Sequence, residues 1–194
     1  MPRPQCPRCQ RPSSHCLCPL IPSLTSTTQV LILQHPSETA HALNTARLAA
    51  LGLHNAELVV GEHVSLPADE RDNYLLFPGA DAVPLESLAS CDAPLRLIVP
   101  DGTWKKARKM LHLNPALATL PRVSLPPGLV SRYRLRKAPA PGALSTLEAI
   151  VTALNKLEGE GRFDLLLRPF EALIEAQIAA MGPETYLRNY GHDD

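Results

Sequence analysis

Four consecutive residues near the middle of the chain combine side chains suited to catalysis and recognition. Asp101, Gly102, Thr103 and Trp104 follow an apolar run at residues 95–100. Open α/β sheets bind ligands outside the carboxyl ends of their strands, so a motif in this position marks a candidate site. The cations that come next are Lys105, Lys106, Arg108 and Lys109. An acid, a stacking ring and clustered cations together favour chemistry on an anionic partner that carries flat bases.

A second group of residues has the types and spacing of a metal site. Four of the five cysteines lie near the start of the chain, as Cys6-x-x-Cys9 followed by Cys16-x-Cys18. The first residues lack the apolar core of a signal peptide, which predicts reduced thiols rather than disulfides. Four sulfurs in two close pairs suit a structural Zn²⁺ that would order this arm. His15 could replace one sulfur, and free thiols or a redox pair are the alternatives.

Composition sets limits on the whole chain. With 194 residues, one main domain is expected. The 19 basic and 19 acidic residues give zero net charge, so a nucleic-acid surface requires local segregation of charge. Residues 122–137 supply such a segment, with five cations and no acid. No apolar run approaches the roughly 20 residues of a membrane span, and we expect a cytoplasmic protein that makes no membrane contact.

The apolar pattern predicts alternating strands and helices. Strands are expected at residues 28–33, 56–60, 73–77 and 95–99, with a short one near 122–125. Helices are expected at residues 38–51, 84–90, from 104, from 146, and at 163–181. Ser37 would cap the first helix, and Ser145 with Glu148 has the Ser-x-x-Glu pattern of a capping box. This alternation predicts an α/β fold with a largely parallel sheet flanked by helices.

The common nucleotide and hydrolase signatures do not occur in the sequence, which has no Gly-rich dinucleotide or phosphate loop and no Gly-x-Ser-x-Gly elbow. Polar patches instead occupy three element boundaries, at residues 35–47, 101–104 and 131–148. Such boundaries gather at one rim of an α/β sheet, which predicts a shared pocket. Purely structural roles stay open for Asp101, Ser145 and Glu148 as caps, and for Asn44 and Thr45 as helix-surface polar residues.

These motifs resemble those of the DTW-domain family, which is named for the Asp-x-Thr-Trp motif present here at residues 101–104. Further segments occur in the family's order and extend the match over about residues 6–150. They are Cys6-Pro7-Arg8-Cys9 with Cys16-Leu17-Cys18, His35-Pro36-Ser37-Glu38, Asn44-Thr45-Ala46-Arg47, residues 131–137 and residues 144–149. One four-residue motif is weak, whereas six in order are specific.

The resemblance implies a SPOUT-like fold with a knotted C-terminal part and the activity of a tRNA-uridine aminocarboxypropyltransferase. Such enzymes transfer the 3-amino-3-carboxypropyl group of S-adenosylmethionine to N3 of a tRNA uridine and release methylthioadenosine. Residues 1–22 would form a zinc-binding arm with four cysteine ligands, and residues 23–194 the catalytic domain. The expected partners are tRNA and S-adenosylmethionine, with no obligate protein partner and a monomeric state.

The resemblance also implies roles for individual residues. Asp101 would be the general base that removes the N3 proton, with Thr103 and Trp104 in the same catalytic centre. Trp104 either stacks on a base or packs in the core. The residues expected to bind S-adenosylmethionine are Glu38, Asn44, Thr45, Pro100, Gly102, Arg132, Tyr133, Arg134, Ser145, Thr146 and Glu148, with an arginine on its carboxylate. Phosphate contacts are expected from Arg47, Lys105, Lys106, Lys109, Arg136 and Lys137.

Two other functions fit the same residues. A SPOUT-like RNA methyltransferase would share the fold and the co-substrate but release adenosylhomocysteine. A non-catalytic, zinc-containing RNA-binding protein would use only the arm and the basic segment, and would not depend on Asp101. The by-product and the effect of replacing Asp101 distinguish the three.

Overall fold

A parallel sheet forms the centre of the molecule, whose computed structural model describes residues 4–89, 93–135 and 142–190. Its strands are β1 Gln29–Gln34, β2 Ala56–Val60, β3 Asp72–Leu76, β4 Val83–Pro84, β5 Leu95–Asp101 and β6 Arg122–Ser124. They lie in the spatial order β2-β1-β5-β3-β6-β4, and every pairing is parallel. The predicted α/β class with a largely parallel sheet is confirmed.

Helices cover both faces of this sheet. They are α1 Ala46–Gly52, α2 Trp104–Leu113, α3 Pro115–Ala118, α4 Thr146–Glu158, α5 Leu167–Met181 and α6 Pro183–Tyr190. Side chains alternate along β1, so that Val30 and Ile32 pack with α1, α4 and α5, whereas Leu31 and Leu33 pack with α2 and α3. A sheet covered on both faces needs nearly continuous apolar strands, which explains the apolar runs in β1 and β5.

One arginine interrupts the apolar run of β5. Arg96 is 1% exposed, and its guanidinium donates to Gln29 Oε1 at 2.6 Å and to Asn73 Oδ1 at 3.0 Å. It also forms an ion pair with Asp69, whose pKa it holds below the usual carboxyl range. These contacts satisfy a charge that would otherwise be costly to bury, and they fix the edge at which the strands begin.

The helix predicted at residues 38–51 is wrong in its first half. A 3₁₀ turn at Pro36–Glu38 is followed by a loop, and α1 begins only at Ala46. Asn44 closes this loop because its side-chain amide donates to the Glu38 and Thr39 carbonyls and accepts from the Arg47 amide. Side-chain bonds of this kind compete with helical bonds, so the apolar spacing did not decide the local structure.

Other element boundaries also differ from the predictions. The helix expected at residues 84–90 is the short strand β4 followed by a 3₁₀ turn at Leu85–Leu88. A 3₁₀ turn at Asp164–Leu166 precedes α5, which begins at Leu167 rather than at residue 163. The sequence pattern gave no sign of α3 or α6, which are short and begin at prolines. None of the helices within the described ranges is long and apolar enough to cross a membrane.

The cysteine-containing arm packs directly on the rest of the fold. Cys9, Leu17 and Ile21 belong to the same apolar cluster as α1, α4 and α5. Arg11 also donates to the Ala42 carbonyl at 2.7 Å, which links the arm to the loop closed by Asn44. The arm is therefore held against the loop that borders the carboxyl ends of the central strands.

Candidate active site

The Asp101 carboxylate lies where the three polar patches meet. Asp101 ends β5 next to Gln34, the last residue of β1. Its Oδ1 accepts a hydrogen bond from Thr146 Oγ1 at 2.5 Å, and its Oδ2 accepts one from Gln34 Nε2 at 2.7 Å. Asn44 Oδ1 accepts from the same Gln34 amide at 3.1 Å. The prediction that these patches share one rim of the sheet is confirmed.

The surroundings of Asp101 favour its protonated form. Burial raises the pKa of Asp101 above the ordinary carboxyl value, and the negative charge of Glu38 raises it further. Hydrogen bonds from Thr146 and Gln34 act in the opposite direction, as does the charge of His41. A carboxylate with a raised pKa is a stronger base near neutral pH, which is the property that proton abstraction requires.

The backbone after Asp101 makes a sharp turn into α2. Gly102 has a φ of 154°, and a Cβ at this position would lie 3.3 Å from Lys106 Cβ and 3.5 Å from His35 Cβ. Both the conformation and the crowding explain why glycine occupies the position. Thr103 is the N-cap of α2, since its hydroxyl accepts from the Lys106 amide at 3.3 Å. Asp101 therefore does not cap α2, and its carboxylate instead accepts hydrogen bonds from Thr146 and Gln34.

Trp104 packs on the opposite face of the sheet from the Asp101 carboxylate. It lies edge-on to Phe77, with ring centroids 5.3 Å apart and an interplanar angle of 63°. Both rings pack with the cluster that contains α2 and α3, whereas Thr146 belongs to α4 on the other face. Trp104 is only half-buried, so one part of its ring is packed and another part is accessible.

Glu148 connects the start of α4 to the basic segment. Its carboxylate accepts from the Ser145 amide at 2.8 Å, which completes the predicted capping box. It also accepts from the Arg132 amide at 2.6 Å and from Ser131 Oγ at 2.9 Å. Glu148 is 5% exposed, and both of its oxygens are engaged in these bonds. The geometry therefore makes Glu148 an anchor that positions Ser145, Thr146 and the segment at residue 132.

The arginines expected to bind the carboxylate of S-adenosylmethionine contact α5. Arg132 pairs with Glu171 at 2.5 Å, and Arg134 pairs with Glu175. Tyr133 lies between them and packs on Phe170, with ring centroids 5.5 Å apart. The two arginines line a cavity of about 520 Å³ between the cysteine arm and α5. No described contact connects either guanidinium to Asp101.

The cations expected to bind phosphate have different environments. Lys106 pairs with Glu38 at 2.6 Å and Lys109 pairs with Glu62 at 2.8 Å, while Lys105 is exposed. Arg47 lies in the first turn of α1, directly after the Asn44 loop. The predictions for Arg136 and Lys137 lie outside the described residues. Pairing of the two lysines with acids leaves a smaller net positive charge on this side of α2 than the sequence indicates.

Sequence reasoning missed Gln34 as a part of the site and gave no individual role to His35, although His35 begins the polar patch at residues 35–47. Gln34 is 0% exposed although it is polar, and its amide joins Asp101 to Asn44. His35 accepts from the Ser37 amide at 3.2 Å through Nδ1 and contacts Glu62 at 2.7 Å through Nε2. Lys109 and His35 together lower the pKa of Glu62. For Gln34, the available signal was a glutamine at the end of an apolar strand.

The four cysteines of the arm lie together. Their Sγ atoms are all within 4.8 Å of one another, with Cys6 3.6 Å from Cys18 and Cys9 3.8 Å from Cys16. Backbone amides of Cys9 and Arg8 lower the pKa of Cys6 to about 6, whereas burial and neighbouring thiols raise the pKa of Cys18 to about 12. This cluster could hold a metal ion, as predicted. His15 is exposed and hydrogen-bonded to Ser14 rather than to the cluster.

Comparison with known proteins identifies relatives over most of the chain. A family profile described as "DTW domain" matches residues 3–178. The "tRNA-uridine aminocarboxypropyltransferase 2" of Drosophila melanogaster is 34% identical over 190 residues, covering 91% of this chain and 76% of its own length. The protein of the same name from Macaca fascicularis is 35% identical over 194 residues, covering 91% of this chain and 64% of its own.

A plant protein is similar at a comparable level. The "tRNA-uridine aminocarboxypropyltransferase A" of Arabidopsis thaliana is 31% identical over 195 residues, covering 80% of this chain and 73% of its own length. This chain therefore spans about two thirds to three quarters of the curated relatives that it matches. No solved structure gives a significant match.

Proposed function

The chain belongs to the DTW-domain family, and we propose that it is a tRNA-uridine aminocarboxypropyltransferase. It would transfer the 3-amino-3-carboxypropyl group of S-adenosylmethionine to N3 of a tRNA uridine and release methylthioadenosine. The observation that carries this assignment is the Asp101 carboxylate, which lies at the meeting point of three family motifs and has a raised pKa.

The chemistry assigned to Asp101 is removal of a proton. Uridine N3 carries a proton and becomes an effective nucleophile only when that proton is taken or shared. The proton passes to the Asp101 carboxylate as N3 forms a bond to the γ-carbon of the transferred group. The bond from that carbon to sulfur breaks, and its electron pair stays on sulfur as a neutral thioether. General-base assistance of this kind contributes about 10²–10⁴-fold to the rate.

S-adenosylmethionine supplies an electrophilic carbon next to a positively charged sulfur. The carboxylates of Asp101 and Glu38 interact electrostatically with each other, which suits a co-substrate that carries a sulfonium and an ammonium group. The residues assigned to hold it are Glu38, Asn44, Thr45, Pro100, Gly102, Ser145 and Thr146, because they surround the ends of β1 and β5 and the start of α4. Glu148 acts by positioning the last two.

The metal assigned to the arm is zinc. A tetrahedral site with Zn–S bonds of about 2.3 Å has sulfur–sulfur separations of about 3.8 Å. The pairs Cys6–Cys18 and Cys9–Cys16 have Sγ separations of 3.6 and 3.8 Å. Four thiols fill all positions of such an ion, so its role is structural, and it would stabilise the arm that contacts the Asn44 loop through Arg11.

The finer features implied by the family belong to the same proposal. They are a SPOUT-like fold with a knotted C-terminal part, a cytoplasmic location and a monomeric state. The parallel six-stranded sheet is consistent with a SPOUT-like fold. Asp101 and Thr146 are 45 residues apart in the chain and are joined by a hydrogen bond. A C-terminal part that folds back onto the sheet would bring two such residues together.

The direct test is mass spectrometry of nucleosides from unmodified tRNA incubated with protein and S-adenosylmethionine. We expect a uridine heavier by one aminocarboxypropyl group and an equal amount of methylthioadenosine. Asp101→Asn should reduce turnover by about 10²–10⁴-fold, whereas Asp72→Asn, an exposed carboxylate at the start of β3, should not change it.

The other outcomes are equally informative. A methyl-sized mass increment with adenosylhomocysteine as by-product would replace the reaction by methyl transfer. No modification by zinc-loaded protein, together with tRNA binding that survives Asp101→Asn, would favour a non-catalytic RNA-binding protein. Undiminished turnover in Asp101→Asn would remove the base assignment.

A further inference from the structure

A cavity beside Trp104 is not used by the chemistry at Asp101. It has a volume of about 520 Å³ and lies at the same edge of the sheet, between the end of β3, α2 and the start of β6. Cavities of about 300–1,000 Å³ are typical of small-molecule sites. Because Trp104 packs on the α2 face while Asp101 bonds to α4, the cavity and the carboxylate lie on opposite faces of the sheet.

The lining of this cavity combines aromatic and cationic side chains. Trp104 and Phe77 form its aromatic wall, and Arg108, His112 and Arg122 add basic groups. Among the described residues that line it, none is acidic. Asp81, an exposed acid that does not line the cavity, lies 3.5 Å from Arg122 Nη1. The basic groups of the cavity thereby differ from Lys106 and Lys109 on the other side of α2, which are paired with Glu38 and Glu62.

Arg122 adds an independent sign of a missing ligand. Its Nε is buried and, within the described part of the chain, has no hydrogen-bond partner. A buried donor without a partner costs free energy, so such groups are rare unless something else binds them. The Arg122 side chain as a whole is 24% exposed and lines the cavity. An anion bound in the cavity would form a charge-assisted contact with this guanidinium.

We propose that this cavity binds a nucleotide of the tRNA that flanks the reacting uridine, with its base against Trp104 and its phosphate between Arg108 and Arg122. The identity of the RNA rests on the function proposed above. Asp101 and Trp104 are three residues apart, so their Cα atoms are separated by at most about 11 Å. The nucleotide next to the reacting uridine could span this separation. Stacking on an aromatic ring is tolerant of sequence, so the site would hold the strand while Asp101 acts on the turned-out uridine.

The chain contains one tryptophan, so its intrinsic fluorescence reports on Trp104 directly. The protein is titrated with a single-stranded oligouridylate of five nucleotides, and separately with uridine monophosphate and with inorganic phosphate. We expect the oligonucleotide to quench the fluorescence. Arg108→Ala and Arg122→Ala should each weaken this binding by about tenfold or more, because each removes a charge-assisted contact with phosphate. Arg188→Ala, an exposed arginine of α6, is the matched control and should bind normally.

Steady-state transfer gives a second readout that does not depend on fluorescence. Arg108→Ala and Arg122→Ala should raise the KM for tRNA by about tenfold, while the KM for S-adenosylmethionine stays unchanged. Each should also make the salt dependence of tRNA binding shallower by about one unit of slope. Circular dichroism of the same samples would show that both variants are folded.

The outcomes separate this site from the proposed activity. If wild-type protein modifies uridine but neither arginine variant changes the quenching or the KM for tRNA, the flanking-nucleotide site is wrong. If the oligonucleotide quenches Trp104 and the variants weaken it while no transfer occurs, the site stands and the proposed function fails. Binding of uridine monophosphate as tight as that of the oligonucleotide would overturn the assignment to an RNA strand.

Discussion

Replacing Thr146 by valine tests whether Asp101 acts as the base. Burial raises the pKa of Asp101, and the hydrogen bond from Thr146 partly opposes that rise by stabilising the charged form. Valine has nearly the same shape but no hydroxyl, so it removes this bond alone. Thr146 is the first residue of α4, where the cap is supplied by Ser145, and the helix should therefore be retained.

The size of the effect follows from the bond that is lost. A hydrogen bond to a charged group contributes about 1.5–3 kcal/mol, which corresponds to a 10- to 150-fold smaller preference for the carboxylate form. The base must be deprotonated to work, so the acidic limb of kcat/KM should move to higher pH by about one to two pH units. On the alkaline plateau the rate should recover, because the carboxylate is then formed despite the loss.

The assay is the pH dependence of methylthioadenosine release, measured at limiting tRNA concentration. Thr152→Val, on the same helix and away from the carboxylate, is the matched control and should leave the profile in place. An acidic limb that does not move in Thr146→Val would show that Asp101 does not set it. A plateau that stays depressed with a raised KM for S-adenosylmethionine would instead show that Thr146 mainly holds the co-substrate.

Two further predictions concern the structure around the site. Cys16→Ser should reduce bound zinc from about one equivalent to near zero and lower the thermal midpoint of unfolding. Cys91→Ser, at a position outside the described residues, is the control and should keep the metal. Equal zinc in the two variants by metal analysis would contradict the site. Arg96→Ala should lower the free energy of unfolding by about 2–5 kcal/mol in urea titrations, because it empties a buried site and leaves Gln29 and Asn73 without their hydrogen-bond donor. A change below about 1 kcal/mol would show that the network is not needed.

The convergence of polar patches could be predicted because it follows from sheet geometry. Parallel strands that end in polar residues place them at one edge, and the Ser-x-x-Glu pattern fixed the start of α4 next to Asp101. The cysteine cluster was predictable for a similar reason, since two close pairs of thiols within a short arm have few other arrangements. In both cases the deciding information is local along the chain.

The parts that could not be predicted depend on contacts between distant segments. Arg132 and Arg134 appear free in the sequence, but their partners Glu171 and Glu175 lie about 40 residues further along. The helix expected before Ala46 failed because one side chain, Asn44, bonds to backbone groups that a helix would need. Gln34 lies just after the strand predicted at residues 28–33, and only its neighbour in the sheet shows why a buried amide is there.

The bonds that hold Asp101 also determine when the site can exist during synthesis of the chain. Gln34 is 67 residues before Asp101 and Thr146 is 45 residues after it. A growing chain that has not yet produced α4 leaves the carboxylate in water, without the burial that raises its pKa. Because translation adds roughly 5–20 residues per second, the buried carboxylate proposed as the base forms several seconds after Asp101 itself is made. Activity is thereby restricted to chains whose C-terminal half has already docked.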